Sequence, residues 1–160
     1  LLIIYGYLIF TYEAEWSFEE YPYVVLKSER IIRSIMVTDS FREKPSIDGI
    51  WEPSPKDIQN LEDMLLELND VDFDSLNGRS LLAIPVDQYY RQYMGVVIDA
   101  EKVIYINAVS YSEVWEMTFK KSKAAIENAD LWRAHCGNYC WGGIYDPSRK
   151  LFRELRVDVE

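Results

Sequence analysis

QYYRQYMGVVIDAEKVIYINAVS, Gln88 to Ser110, holds two β-rich runs, Tyr89–Ile98 and Val103–Val109. The polar tetrapeptide Asp99-Ala100-Glu101-Lys102 joins them. Val, Ile and Tyr dominate both arms, and such side chains fit a pleated, half-buried surface. A short polar join between two such runs predicts an antiparallel hairpin. Pairing Ile98 with Val103 would set Val96 against Tyr105, Met94 against Asn107 and Gln92 against Val109 on one face. The other face would hold Val97 with Ile104, Gly95 with Ile106, Tyr93 with Ala108 and Arg91 with Ser110. Both faces are apolar near the turn, so a central hairpin covered on both sides is expected. Away from the turn, Arg91, Gln92 and Asn107 stand among tyrosines. That end is the candidate functional surface.

The second hairpin closes the chain. Tyr139–Tyr145 runs into the turn sequence Asp146-Pro147-Ser148-Arg149-Lys150, then Leu151–Val159. In the last run Leu151, Leu155, Val157 and Val159 form the expected inward set, which only Arg153 breaks. Gly142-Gly143 marks a bulge or a close backbone approach. Upstream, Ser54 is an N-cap, Pro55 takes the first helical position and Asp57 follows three residues after the cap. Ile58, Leu61, Leu65 and Leu68 make one apolar stripe, with Glu62, Asp63 and Glu67 outside it. A helix over Pro55–Leu68 is therefore predicted to lie on the sheet.

Other segments are less decided. Tyr23–Thr38 fits helix and strand equally, since its apolar pairs suit helical spacing and its β-branched content suits a strand. Asp39–Trp51 reads as a loop from Pro45, Ser46, Asp48 and Gly49. Asp70, Asp72 and Asp74 resemble a calcium loop in spacing, but Ser75 and Leu81 stand where Gly and Glu are required, so solvated carboxylates are the expectation. Pro85 makes Leu81–Val86 an edge strand or none. Tyr111–Asp130 has helical composition, with Ser112 as cap, Trp115 and Phe119 on one face, and Lys120, Lys121 and Lys123 solvated.

The fold expected is α+β: one main helix on an antiparallel sheet of two hairpins, a cystatin-like or similar roll. A chain of 160 residues predicts a single domain, over 18–160, with a real core. Residues 1–17 stand apart. Leu1–Phe10 is apolar but half the length a bilayer span needs. It matches a signal-peptide core or anchor remnant, the alternative being an N-terminal strand. Export to the periplasm, the medium or a membrane anchor follows from the first reading, with membrane contact only through that segment.

The formal net charge is −10. Such a field repels phosphate backbones, so nucleic acid is an unexpected partner, and a basic protein or peptide is the one it attracts. Two cysteines and one histidine, Cys136, Cys140 and His135, cannot complete a zinc site. Buried free thiols and a local disulfide both remain open. His135 and Cys136 as strand neighbours would point to opposite faces, which argues against a cysteine-dependent enzyme. No metal, cofactor or catalytic set is expected.

The strings Tyr90-Arg91-Gln92-Tyr93-x-Gly95, Ile104-Tyr105-Ile106-Asn107 and Trp141-Gly-x-x-Tyr-Asp146 occur in order, after Trp51-x-Pro53-Ser54. Together these resemble a group of small exported bacterial proteins, over about the last two-thirds of the chain. The resemblance implies export and a shared α+β fold and brings no activity with it. Cys136-Gly137-Asn138 departs from it, where an acidic residue beside paired glycines would stand. The expected function is a non-catalytic binding protein of inhibitor or immunity type, with Trp51, Arg91, Gln92, Tyr93, Asn107 and Trp141 as binding residues. The alternative is a small-molecule-binding roll whose pocket is lined by Trp51, Tyr93 and Trp141.

Overall fold

The computed structural model describes residues 22–38, 46–67, 86–112 and 139–157, together with Val114 and Leu131. Residues 1–21, the aspartate-rich loop, Leu81–Pro85, Trp115–Asp130, His135 and Cys136 lie outside the described residues. The chain is α+β. Its elements are β1 (Tyr23–Leu26), α1 (Glu29–Thr38), β2 (Gly49–Ile50), α2 (Pro55–Glu67), a 3-10 turn (Val86–Gln88), β3 (Tyr89–Ile98), β4 (Glu101–Ser110), β5 (Cys140–Asp146) and β6 (Leu151–Val157).

The two expected hairpins, β3–β4 and β5–β6, lie side by side through antiparallel β4–β5 pairing. The sheet is nevertheless larger than two hairpins. It runs β1-β3-β4-β5-β6, with β2 also on β3, and it is mixed because β1 pairs parallel to β3. The segment Tyr23–Thr38 fits helix and strand equally because it is both in succession. Its boundary falls at Lys27-Ser28, where the Ser28 carbonyl accepts the Ile32 N–H and starts α1. Likewise the loop expected over Asp39–Trp51 contains β2, whose Gly49 and Ile50 face Val97 and Val96.

The central hairpin is tighter than its composition predicts. Ile98 pairs with Glu101, not Val103, so Glu101 and Lys102 belong to the strand and the turn is Asp99-Ala100 alone. Both turn residues have positive φ, 52° and 62°. This is the two-residue geometry whose twist matches that of the flanking strands. Asp48 accepts the Ala100 N–H at 3.1 Å and holds the turn. A left-handed Ala is strained in a way Gly is not, so Ala100→Gly should stabilise the chain by about 0.5–1 kcal/mol. A rise in the urea midpoint at constant slope is the expected reading, and a fall would contradict it.

The register differs from expectation by two residues, so every side chain keeps its predicted face. On one face Ile58, Leu61 and Leu65 of α2 pack with Tyr93, Ile104, Ile106, Trp141, Tyr145 and Leu155. On the other, Ile32 and Ile35 of α1 pack with Met94, Val96, Val103, Tyr105 and Ile144. A third cluster, Tyr90, Val109, Val114, Leu131 and Cys140, continues that second face away from the turn. A hairpin apolar on both faces is thus covered on both, by one helix each.

The α2 start is as read. The Asp57 N–H reaches Ser54 Oγ at 3.2 Å while the Ser54 N–H and Oγ–H reach Asp57 Oδ2 at 2.9 and 2.6 Å. Leu68 lies outside the described residues. In β6 one expectation fails. The register shifts between Ile144 and Tyr145, so that Ile144 faces Glu154 and Tyr145 faces Phe152. Arg153 is the extra residue of a bulge, which is why it broke the alternation. The bulge turns Phe152 inward, against Tyr145 at 5.3 Å between ring centres, and leaves Leu151 exposed. Gly142 and Gly143 stand in regular register one step earlier.

Candidate functional site

Arg91 is placed by β3 on the α2 side of the sheet, yet its side chain is only 4% exposed. A guanidinium is not buried without partners, because the charge must be compensated. Here α2 supplies the partner. Arg91 Nη2 and Nε donate to the two carboxylate oxygens of Glu62 at 2.9 and 3.2 Å, the two-pronged pairing that a planar fork favours. Nη1 donates to the carbonyls of Val86 and Tyr89 at 2.7 and 2.9 Å, tying the 3-10 turn to the strand. Nε also reaches the Tyr93 hydroxyl at 3.0 Å, and that hydroxyl donates to Glu62. Burial, and secondarily the Glu62 charge, holds the Tyr93 phenol well above its ordinary range despite Arg91, so it remains a donor. Tyr23, paired with Arg91 in β1, lays its ring 5.3 Å from that of Tyr93 and presents itself at the surface.

Gln92 and Asn107 occupy the opposite face, so the sheet separates them from Arg91. They stand directly across β3 and β4, both fully buried, and Asn107 Nδ2 donates to Gln92 Oε1 at 2.8 Å. The next strand offers Gly142 opposite Asn107. Asn107 Oδ1 has no hydrogen-bond partner among the described residues.

Trp51 follows β2 and crosses over Gly95, where its N–H binds the Gly95 carbonyl at 3.1 Å. Its indole N–H reaches the carbonyls of Val96 and Val103 at 3.1 and 3.0 Å, clasping both arms of the hairpin. Lys102 Nζ sits 5.6 Å from its ring centre. Trp141 is buried beneath α2, edge-on to Tyr89 at 6.3 Å. Trp51, Tyr93 and Trp141 therefore share the α2 face, and all three pack in the core cluster there. Of the six sequence-derived site residues, only Trp51 is not fully buried. What the other five can offer a macromolecule is the surface they hold in place. Cys140 is disulfide-bonded, so in this state Cys140 presents no thiolate.

Two groups escaped the sequence reading. Glu62 reads from the sequence as lying outside the apolar stripe of its helix, although a buried Arg91 demands an acid. Asp146 reads from the sequence as the start of a turn and the end of the Trp141–Asp146 string, with no ion pair expected of it. Its Oδ1 accepts from the Ser148 N–H, the Ser148 hydroxyl and the Arg149 N–H, while Oδ2 accepts from Arg153, which also binds Glu101. Burial alone would raise this carboxyl, but the hydrogen bonds from Ser148, Arg153 and Arg149 and the Arg153 charge outweigh it and hold it at about 2. The folded value lies below the unfolded one, so this stability is present above roughly pH 4 and is lost as pH falls toward 2. Asp146→Asn should cost about 2 kcal/mol at neutral pH and remove that acid limb from a plot of urea midpoint against pH. An unchanged acid limb would assign it to other carboxylates.

No family model, curated protein or solved structure matches the chain. Among the described residues no helix is long and apolar enough to cross a membrane, and no group of three or more His, Cys, Asp or Glu could hold a metal ion.

Proposed function

We propose that the chain is a non-catalytic binding protein of the cell envelope or the secreted space, of the inhibitor or immunity kind, acting on a basic protein or peptide. One observation carries the reading: the Arg91–Glu62–Tyr93 network fixes a surface aromatic, Tyr23, against the rigid core at the junction of β1, β3 and α2. Tyrosine held still in this way binds with little loss of side-chain freedom, which is why tyrosine is enriched at interface hot spots. The net charge of −10 supplies the complement to a basic partner. As part of the same proposal, α2 across β3 to β6 is the helix-on-sheet core of a cystatin-like roll, to which β1, β2 and α1 are additions. The resemblance to small exported proteins supports the location.

The test is affinity capture from the source cell's envelope and secreted fractions, followed by co-elution of the purified pair. A basic protein that co-elutes one-to-one, and less so as salt rises, is the expected result. Failure of any protein to co-elute would remove the reading. A second reading, the small-molecule-binding roll, rests on Trp141 Nε1 and Tyr145 Oη, buried polar atoms beneath α2 with no partner among the described residues. Equilibrium dialysis against the cell's small-molecule extract separates the two.

A further inference from the structure

The last two turns of α2 are charged against their own helix. Asp63 and Glu67 lie there, beyond the Arg91-paired Glu62, and the last turn carries no basic residue. The C-terminal end of a helix bears the negative pole of its dipole, so carboxylates there are unfavourable. Asp63 and Glu67 are also four apart, a like-charge pair on one helical line. Asp63 accepts one hydrogen bond, from Gln59 at 2.8 Å, which does not offset a charge. Between these acids Leu66 is 60% exposed, an uncommon place for a large apolar side chain. Leu66 lies one turn beyond Glu62 on the same line of the helix. Glu62 in turn bonds Tyr93, against which the ring of Tyr23, 38% exposed, packs at a tilt. Leu66, Tyr23 and two carboxylates, Asp63 and Glu67, that have no basic partner among the described residues thus lie along one rim. By contrast Glu29 has Arg33, and Glu52 has Lys27. A local rule broken with no internal gain marks a surface kept for something else.

We propose that the last two turns of α2, with Tyr23 beside them, form the docking surface, and that its occupant is a basic segment of a partner protein. This rests on the binding-protein reading above and adds the place and the chemistry. The segment carries Arg or Lys at alternate positions, with aliphatic residues among those between. The aliphatic side chain covers Leu66, one cation pairs with Asp63 and Glu67, and another lies over the Tyr23 ring.

The probe is a short capped peptide, Arg-Leu-Arg-Ser-Arg-Leu, titrated into the isotope-labelled full chain, with Glu-Leu-Glu-Ser-Glu-Leu as control. Expected are amide shifts confined to Glu62–Glu67 and Tyr23, weakened severalfold between ~50 mM and ~500 mM salt, and none with the acidic peptide. Asp63→Lys with Glu67→Lys should weaken binding roughly fivefold or more. The same variant should melt roughly 1–3 °C higher, because it removes the helix's own repulsion. A lower melting temperature would overturn the premise, and shifts scattered over the surface or unchanged binding by the variant would overturn the site. The two levels fail separately. If the full chain captures a cellular partner that the variant binds equally well, the surface is wrong and the binding-protein reading stands. If the peptide docks as described while no cellular protein co-elutes, the surface stands and that reading falls.

Discussion

Gly95→Ala should lower stability by about 4 kcal/mol or more, enough to drop the melting temperature by roughly 10 °C. A Cβ at Gly95 would stand 2.0 Å from the Trp51 carbonyl oxygen, 2.7 Å from Pro53 Cδ and 3.0 Å from Pro53 Cγ. No rotamer relieves that contact, because the obstructing atoms are backbone and a proline ring. The backbone passing over Gly95 is also the entry to α2. It is held there by the Trp51 N–H bond to Gly95 and by the Trp51 indole across both strands of the hairpin. Displacing it would move the Ser54–Asp57 cap and with it the helix covering half the core. Gly49→Ala is the control. Its nearest atom is Val97 Cγ2 at 3.8 Å, ordinary contact, and the change should stay within about 1 kcal/mol of wild type. Equal losses at the two glycines would show that general strand flexibility, not the Trp51 crossing, is responsible.

Arg91→Met should destabilise by about 3–5 kcal/mol, and Glu62→Leu by a comparable amount. The first leaves the half-buried Glu62 and the second the buried Arg91 without its counter-ion, and the first also takes one donor from the carbonyls of Val86 and Tyr89. The double variant should cost markedly less than the sum, with a coupling of about 2 kcal/mol, since it removes both charges together. Urea unfolding at neutral pH measures all three. Strict additivity would mean that the pair is screened by water despite its geometry. Tyr93→Phe belongs to the same cycle and should cost about 1.5–3 kcal/mol, because its hydroxyl both donates to Glu62 and accepts from Arg91.

How much of this was legible depended on whether the signal was local. The α2 cap is written in Ser54, Pro55 and Asp57, and its stripe in Ile58, Leu61 and Leu65, so the helix could be placed to within a residue. Both hairpins announced themselves through β-branched runs around polar joins. Parallel pairing of β1 with β3 has no local signature, because it joins Tyr23 to Arg91, with α1 and α2 lying between them in sequence. The strand-to-helix change at Lys27-Ser28 was in principle readable, from Ser28 before the acidic Glu29. It was masked by apolar residues that serve both elements. At the candidate site, Arg91 and Tyr93 stood out by their unusual context, whereas Glu62 looked like any solvated carboxylate on a helix. A charge pair spanning two elements is visible only once they are docked. Arg153 was noticed as an irregularity, and the bulge it marks needed the partner strand to be recognised.

The Gln92–Asn107 pair has a consequence beyond its hydrogen bond. A one-residue slip between β3 and β4 would expose the core, and burial forbids it. A two-residue slip is different. It returns every apolar side chain to its own face, so hydrophobic burial discriminates poorly between the two alignments. In the slipped alignment Gln92 would meet Val109 and Asn107 would meet Met94, leaving each amide buried without the other, at a cost of about 1–3 kcal/mol apiece. The pair therefore acts as a key between two otherwise similar zippers. With leucine at both positions the hairpin would keep its hydrophobicity and lose its means of telling one alignment from the other.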